Sequence, residues 1–153
     1  MAPLIVLISV FFITLLVTRR SRGGYKFAFS GRVAMVVMLL FTSIGHFAFT
    51  KGMSMMLPQF IPYKTAVVYL TGFIEIAAAI GLLIRRLRVI TGWLLIAFFI
   101  FILPANILAA LHNVDYQAGT FQGPGSTYLW FRIPIQIFFI VWTYLSAIKW
   151  QDG

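Results

Sequence analysis

Five long apolar runs set the limits on how this chain can fold, because roughly 20 mostly apolar residues cross a bilayer as an α-helix. Only 10% of the 153 residues are charged and 61% are hydrophobic, whereas a soluble domain carries roughly 25% charged residues. The sequence therefore predicts an all-α integral membrane protein in contact with the lipid bilayer. Its five transmembrane helices are expected at Ala2–Thr18, Arg32–Thr50, Ala66–Ile84, Val89–Leu111 and Leu129–Ile148.

The net charge of +9 comes from basic residues that lie in short clusters between these runs. This pattern is typical of membrane orientation and does not indicate a nucleic-acid partner. With the N-terminus outside, the outer side holds only Lys51, Lys64 and Arg132. The inner side then holds nine basic residues, namely Arg19, Arg20, Arg22, Lys26, Arg32, Arg85, Arg86, Arg88 and Lys149. The positive-inside bias predicts a cytoplasmic C-terminus in a bacterial inner membrane. The first run lacks a basic n-region and a small-residue cleavage site, so it is expected to remain as a span.

The connections between the spans differ on the two sides. On the inner side, Gly23–Ser30 is expected to be an interfacial connector, and the segment "RRLR" at 85–88 is expected to be a tight turn. The first outer connection holds two prolines that prevent a continuous helix. We therefore expect residues 52–63 to fold back over the bundle as a cap, with Met53, Met56 and Phe60 against it. Methionine suits such a cap because its flexible side chain adapts to different apolar ligands.

Polar side chains within the spans are the candidate functional residues, because ionisable groups inside a membrane are costly and normally face a bundle interior. The first helix contributes only Ser9 and Thr14, so we expect it to pack outside a core of the other four helices. The candidate pocket residues, on those four helices and the adjoining outer connection, are His46, Lys51, Glu75, Asn106, Arg132 and Gln136.

The depth of these residues predicts an outward-opening pocket. At 1.5 Å per residue, Glu75 lies ~15 Å below the outer end of its helix, whereas His46, Asn106 and Arg132 lie within roughly two turns of theirs. We therefore expect Glu75 at the floor, close enough to Arg132 to pair with it directly or through a ligand. His46 is the alternative partner.

Each candidate also has a purely structural interpretation. Glu75 and Arg132 either bind a ligand or a proton, or form a buried pair that fixes helix register. His46 is either a working residue or a core histidine bonded to Ser43 or a backbone carbonyl. Asn106 either serves the pocket or satisfies backbone groups freed by Pro104. One histidine with one nearby acid makes a poor metal site, so none is predicted. Aromatic residues near the span ends are expected to form an interfacial belt, namely Trp93, Tyr128, Trp130, Trp142 and Trp150.

Four segments of the chain, in this order, resemble the DoxX-like membrane proteins of the DoxX/DoxD group. They are "GHFAFTKGMSMMLPQFIP", "VYLTGFIEIAAAIGLLI", "FILPANILAALH" and "WFRIPIQIFFIVW". The resemblance covers about residues 32–146 and implies a DoxX-like four-helix bundle. Residues 1–153 would then form one membrane domain, with an extra N-terminal helix and inner connector at 1–31 and the four-helix core at 32–148. Carried over by position, the polar signature of the family falls on His46, Glu75, Asn106, Arg132 and Gln136.

The resemblance also implies a link to redox chemistry, since founding members are associated with a thiosulfate:quinone oxidoreductase. The first hypothesis is thus an oxidoreductase-associated subunit that binds a quinone or similar amphipathic molecule, with Glu75 exchanging a proton. The sequence has no haem, flavin or metal motif and no cysteine, so a redox partner protein would supply the electrons. The alternatives are a non-catalytic lipid-binding or membrane-assembly protein and a small transporter. The sequence assigns neither a catalytic residue nor an oligomeric state.

Overall fold

A computed structural model describes residues 2–22 and 26–150 of the chain. Five of its helices are long and apolar enough to cross a membrane, which confirms an all-α fold with five candidate spans. The helices are α1 (Ala2–Arg22), α2 (Phe27–Ala48), α3 (Thr50–Met55), α4 (Lys64–Leu83), α5 (Arg88–Leu111) and α6 (Thr127–Thr143), which continues as a π-helix over Tyr144–Lys149.

The start of α2 differs from the prediction. The helix begins at Phe27, so the predicted connector Gly23–Ser30 is wrong over its last four residues, while Gly23–Tyr25 lie outside the described residues. The prediction used Arg32 as a boundary charge, but this residue is only 4% exposed within the helix. One guanidinium nitrogen of Arg32 donates to the carbonyls of Ser146 at 2.9 Å and Trp150 at 3.4 Å. Arg32 can therefore be buried because carbonyl groups around the end of the π-helix accept its hydrogen bonds.

The turn between α4 and α5 is as tight as the sequence predicts. Ile84 takes an extended conformation at the end of α4, and its carbonyl accepts the backbone N–H groups of Leu87 and Arg88, each at 3.0 Å. We call this end of the bundle the basic end. The opposite end, where α3 and the loop 112–126 lie, we call the cap end.

Helix α2 is the centre of the bundle. Over its span 56% of residues are buried, against 17% in α1 and about 30% in each of the other three. Helices α1 and α4 make the most extensive contacts with α2, while α5 packs against α6 and the π-helix. Helix α1 thus lies at the edge of the bundle, and its Phe11 ring contacts Trp142 with centroids 4.9 Å apart.

Close packing of large side chains centres on the middle of the bundle and on the half nearer the basic end. Fully buried apolar side chains there include Met35, Met38, Leu39, Leu82 and Leu95, and Leu7 of α1 joins the same cluster. Most other large apolar side chains on the five long helices point outward and are exposed, as Phe12, Leu94 and Phe101 are. An apolar outer surface is what lipid contact requires.

The closest approach of α2 to α4 depends on Gly72, and this yields a first prediction. A Cβ atom at this buried position would lie 3.0 Å from the Cβ of His46 and 3.4 Å from the Phe47 ring. We expect Gly72→Ala to lower the free energy of unfolding by about 1–3 kcal/mol, because overpacking forces the helices apart. Thermal and denaturant unfolding of the purified protein in detergent measures the change.

Gly45→Ala on α2 is the matched control. Its added Cβ would meet only ordinary contacts, the nearest being Met53 Cε at 3.7 Å. This variant should match the parent or be more stable by about 0.5–1 kcal/mol, as expected for alanine in place of glycine within a helix. Equal stability of the two variants would contradict the importance of the Gly72 contact.

Candidate functional site

A cavity of about 550 Å³ occupies the cap end of the bundle. Helices α1, α4 and α6 contribute to its wall through residues near their starts, and α2 and α5 through residues near their ends. The segment that contains α3 and the loop 112–126 complete the wall. Most of the lining is apolar, and the apolar side chains include Phe41, Phe49, Met53, Met56, Val67 and Ile102. Ligand pockets in proteins typically measure about 300–1,000 Å³ and combine apolar walls with a few polar groups. The cavity is therefore large enough for a small organic molecule.

His46 and Glu75 meet in the cavity wall between α2 and α4. Nε2 of His46 lies 3.5 Å from Oε1 of Glu75, and both side chains are almost fully buried. This is an ion-pair distance at the outer limit of a hydrogen bond. Glu75 also borders the closely packed half of the bundle, so it forms the floor of the cavity. The second carboxyl oxygen, Oε2, is buried without a hydrogen-bond partner among the described residues.

Thr71 orients the histidine. Its hydroxyl donates to the carbonyl of Val68 at 2.7 Å, and its oxygen lies 3.0 Å from Nδ1 of His46. Because the hydroxyl proton is used toward Val68, the Thr71 oxygen can accept a hydrogen bond from the N–H group at Nδ1. Nε2 of His46 then faces Glu75. His46 is therefore bonded to Thr71, and Ser43, the partner considered from the sequence, bonds to Leu40 instead.

Glu75 and Arg132 line the same cavity, as predicted, but they do not form the direct pair that was one of the expected arrangements. Among residues 2–22 and 26–150 the carboxyl group lies within ion-pair distance of His46 alone. The direct partner of Glu75 is therefore His46, the alternative considered from the sequence. The reason is that Gly72 lets α2 approach α4 closely enough for His46 to reach Glu75 first.

Arg132 lines the cavity from the second turn of α6. Its Nε is buried and has no hydrogen-bond partner among the described residues. Tyr116 lies close enough for the positive charge to act on the phenol, although burial is the larger influence and raises the pKa of Tyr116 above its ordinary value. Nearby Tyr128 and Asp115 raise this pKa further and Arg132 opposes them. Tyr116 is therefore a neutral group near the cationic Arg132.

Asn106 joins α5 to the start of α6. Its side-chain amide donates to the carbonyl of Ile102 at 3.2 Å, and its Oδ1 accepts the hydroxyl of Tyr128 at 3.4 Å. Asn106 thus bonds both to its own helix backbone and to a residue that lines the cavity. The sequence placed Tyr128 in an interfacial belt, but its hydroxyl points into this polar contact instead. Trp142 likewise uses its ring N–H inside the bundle, where it donates to Gly31 at 3.0 Å.

Two candidates from the sequence lie outside the cavity lining. Gln136 is 2% exposed and donates through Nε2 to the carbonyl of Phe99 at 2.6 Å, so it joins α6 to α5 within the packed half. Lys51 is exposed on α3 and lies beside Gly119 of the loop 112–126. Gln136 was selected by its position on the helix and by the family resemblance, and Lys51 by its place in the outer connection. Neither criterion fixes the direction of a side chain.

The cap over the cavity consists of two segments, of which the sequence predicted one. Met53 and Met56 line the cavity as expected for a segment that folds back, but Phe60 is 84% exposed, so that part of the prediction is wrong. The second segment is the loop 112–126. Gly52 packs directly on the backbone of Tyr116, and this contact joins the two segments.

Several lining residues were missed by the sequence reasoning. Thr71 lies one helical turn before Glu75, and a search for polar residues at that spacing would have found it. Tyr116 and Gln117 carry no such signal, because they lie in an irregular loop. Ala2 and Pro3 were missed because the first helix was expected to contribute nothing to the pocket.

The fold and the cavity define a small integral membrane protein with five apolar helices and, at one end, a largely apolar chamber that contains a few polar side chains. Residues 35–147, well over half of the chain, match the model of a family described as a domain of unknown function (DUF8561), and the chain belongs to this family. Neither the curated proteins nor the solved structures contain a match to the chain.

A double-mutant cycle tests the contact between His46 and Glu75. We expect His46→Ala and Glu75→Ala to be coupled by about 0.5–3 kcal/mol in the free energy of unfolding, because contacting residues are not additive. The cycle of His46→Ala with Arg132→Ala is the control, since these two side chains make no direct ion pair. A larger coupling in the control cycle than in the first would contradict the assigned pair.

Proposed function

We propose that the chain is a DoxX-like membrane protein that binds a quinone or similar amphipathic molecule in the cavity, as a redox-associated subunit. The observation that carries the proposal is the pairing of His46 with Glu75 in the wall of an otherwise largely apolar chamber. Such a pair can donate and accept protons where apolar walls hold an organic ring. The DUF8561 match at 35–147 covers nearly the same stretch as the DoxX resemblance, so both rest on the same core.

The chemistry of a quinone suits this arrangement. Reduction of a quinone to a quinol takes up two electrons and two protons. His46 and Glu75 would exchange protons with one quinone oxygen, while the guanidinium of Arg132, whose Nε has no partner among the described residues, offers a donor elsewhere in the lining. The electrons would come from a redox partner protein that docks on the membrane domain. The methionines of the cap would pack on the ring or its apolar tail.

Ligand binding provides the test of this function. The protein is purified in mild detergent, its bound lipids are extracted and identified, and a short-chain naphthoquinone is added back. We expect saturable binding with an ultraviolet change on reduction, and about tenfold weaker binding in His46→Ala and Glu75→Gln. The first variant removes a hydrogen-bonding side chain, and the second replaces the proton-exchanging carboxyl group with an amide. Phe60→Ala, on the exposed part of the same connection, should bind as the parent does.

Two outcomes would count against the quinone. Co-purification of a lipid that shows no redox-dependent ultraviolet change, with no naphthoquinone binding, would favour the lipid-binding alternative. Naphthoquinone binding that is equal in the parent, His46→Ala and Glu75→Gln would place the ligand elsewhere on the protein.

We further propose that the cap end faces the outside of a bacterial inner membrane. The basis is that nine of the twelve basic residues lie toward the basic end, which the positive-inside rule assigns to the cytoplasm. Both chain termini then follow, with the N-terminus outside and the C-terminus inside.

The lack of cysteine makes this orientation simple to test. Single cysteines are introduced at Gln122 and Arg86, which are exposed at the cap end and the basic end respectively. A membrane-impermeant maleimide should label Gln122→Cys in intact cells and Arg86→Cys only after lysis, and the cysteine-free parent gives the background. Labelling of Arg86→Cys in intact cells with protection of Gln122→Cys would reverse the orientation.

A further inference from the structure

The cavity lining holds a cationic side chain without an acidic partner. The lining side chains that can form ion pairs are His46, Glu75 and Arg132. Glu75 lies 3.5 Å from His46, and this is its one ion-pair contact among residues 2–22 and 26–150. Arg132 stays charged, because a guanidinium is not deprotonated in proteins. Its guanidinium is therefore a positive charge in the lining that no acid of the described residues contacts.

Neither acid among the described residues lies within ion-pair distance of Arg132. Those acids are Glu75, which is paired with His46, and Asp115. Oδ1 of Asp115 accepts the backbone N–H groups of Gln117 and Ala118 at 2.9 and 3.1 Å, and Asp115 forms no ion pair with Arg132 within the part of the chain that the structure describes. The remaining acid, Asp152, lies outside the described residues.

Snorkelling toward the membrane surface does not account for Arg132 either. A long basic side chain near a helix end can extend to the interface and leave its charge in water. Here Nε of Arg132 is buried and has no partner among the described residues, and the side chain lines the cavity together with the hydroxyl-bearing Tyr116 and Tyr128. A buried donor without a partner is costly, and an acceptor bound in the cavity would remove that cost.

We infer that Arg132 makes the cavity selective for an amphiphile whose head group carries one ionised oxygen. The ligand class is an apolar body with an acidic group, such as the enolate of a hydroxyquinone or the carboxylate of a fatty acid. This inference rests on the proposed function for the location of the ligand, but it does not require that the ligand be a quinone. Charge-assisted hydrogen bonds from a guanidinium to such an oxygen are stronger than bonds to a neutral carbonyl.

Two matched ligand pairs test the selectivity on the parent protein. Each is measured by calorimetry in nanodiscs of zwitterionic phosphatidylcholine, where anionic lipid cannot compete. The first pair is a 2-hydroxy-3-alkyl-naphthoquinone, ionised at neutral pH, and its neutral 2-methoxy ether. The second is dodecanoate and dodecanol. We expect each anion to bind about 10- to 100-fold more tightly than its neutral partner.

Three variants assign the selectivity to a residue. Arg132→Gln should abolish the preference for the anions, whereas Arg132→Lys should keep part of it, because it retains the charge but not the planar fork. Lys51→Gln should behave as the parent does, since it removes a basic residue at the same end but outside the cavity. Size-exclusion and circular dichroism profiles check that each variant is folded. If Arg132→Gln does not fold, the comparison of each anion with its neutral partner on the parent protein still tests the selectivity.

The outcomes separate this inference from the proposed function. Equal binding of the hydroxyquinone and its ether would overturn the inference and leave the quinone site in place. Binding of dodecanoate that depends on Arg132, without binding of either quinone, would refute the quinone and support the acidic amphiphile. If none of the four ligands binds, both proposals fail.

Discussion

The contact between His46 and Glu75 lets the chain hold a carboxyl group near the middle of a membrane span. An ionised acid at the centre of a bilayer helix costs about 2.5–3.5 kcal/mol even on insertion scales. Glu75 is too short to reach the interface, so it needs a partner on a neighbouring helix. His46 supplies one at 3.5 Å. The arrangement of the other helices follows from this requirement, because α2 and α4 must lie against each other along the cavity.

The close approach of α2 to α4 explains why α2 is the central helix. Gly72 removes the side chain that would separate the two helices beside His46. With α4 on one side, α2 presents its remaining faces to α1 and to the π-helix that follows α6. Arg32, near the other end of α2, then bonds to the carbonyls of Ser146 and Trp150. Both ends of α2 are thus fixed by polar contacts, which are more directional than apolar packing.

The helices themselves could be predicted well from the sequence, because apolar run length reports directly on membrane spans. The predicted boundary at Arg32 was wrong because charge was taken to mean exposure, whereas Arg32 is buried by its bonds to carbonyl groups. The sequence also predicts that four candidates lie around one cavity, and they do. His46, Asn106 and Arg132 lie in the outer parts of their helices, and Glu75 lies deeper, at the floor of the cavity.

The pairing within the site could not be predicted from the same pattern. Whether Glu75 meets His46 or Arg132 depends on how far α2 slides along α4, and this is set by packing at Gly72 rather than by residue spacing along either helix. The direction of the Gln136 side chain could not be predicted either. Its amide donates to the carbonyl of Phe99 and does not line the cavity. Tyr116 depends on an irregular loop, in which hydrophobic periodicity carries no information.

The division of the bundle into a packed half and an open half is the last consequence of these contacts. Leucine and methionine side chains fill the space near the basic end, and Glu75 lies where that packing stops. Beyond it some polar side chains bond to their own helix, as Thr42 does with Leu39, while Thr71 and Asn106 also reach a neighbouring helix. Side chains that bond to their own helix do not fill the space between helices, and the chamber stays open.

The small residues Ala2 and Pro3 complete the wall from α1, outside the stretch matched by the family model. Most residues that line the chamber lie within that stretch, and the wall on the α1 side is formed by residues outside it. A bulky residue at either position would narrow the chamber without touching the His46–Glu75 pair, because α1 lines the cavity through Ala2 and Pro3. The size of the chamber can therefore change at this wall while the contact between α2 and α4 stays as it is.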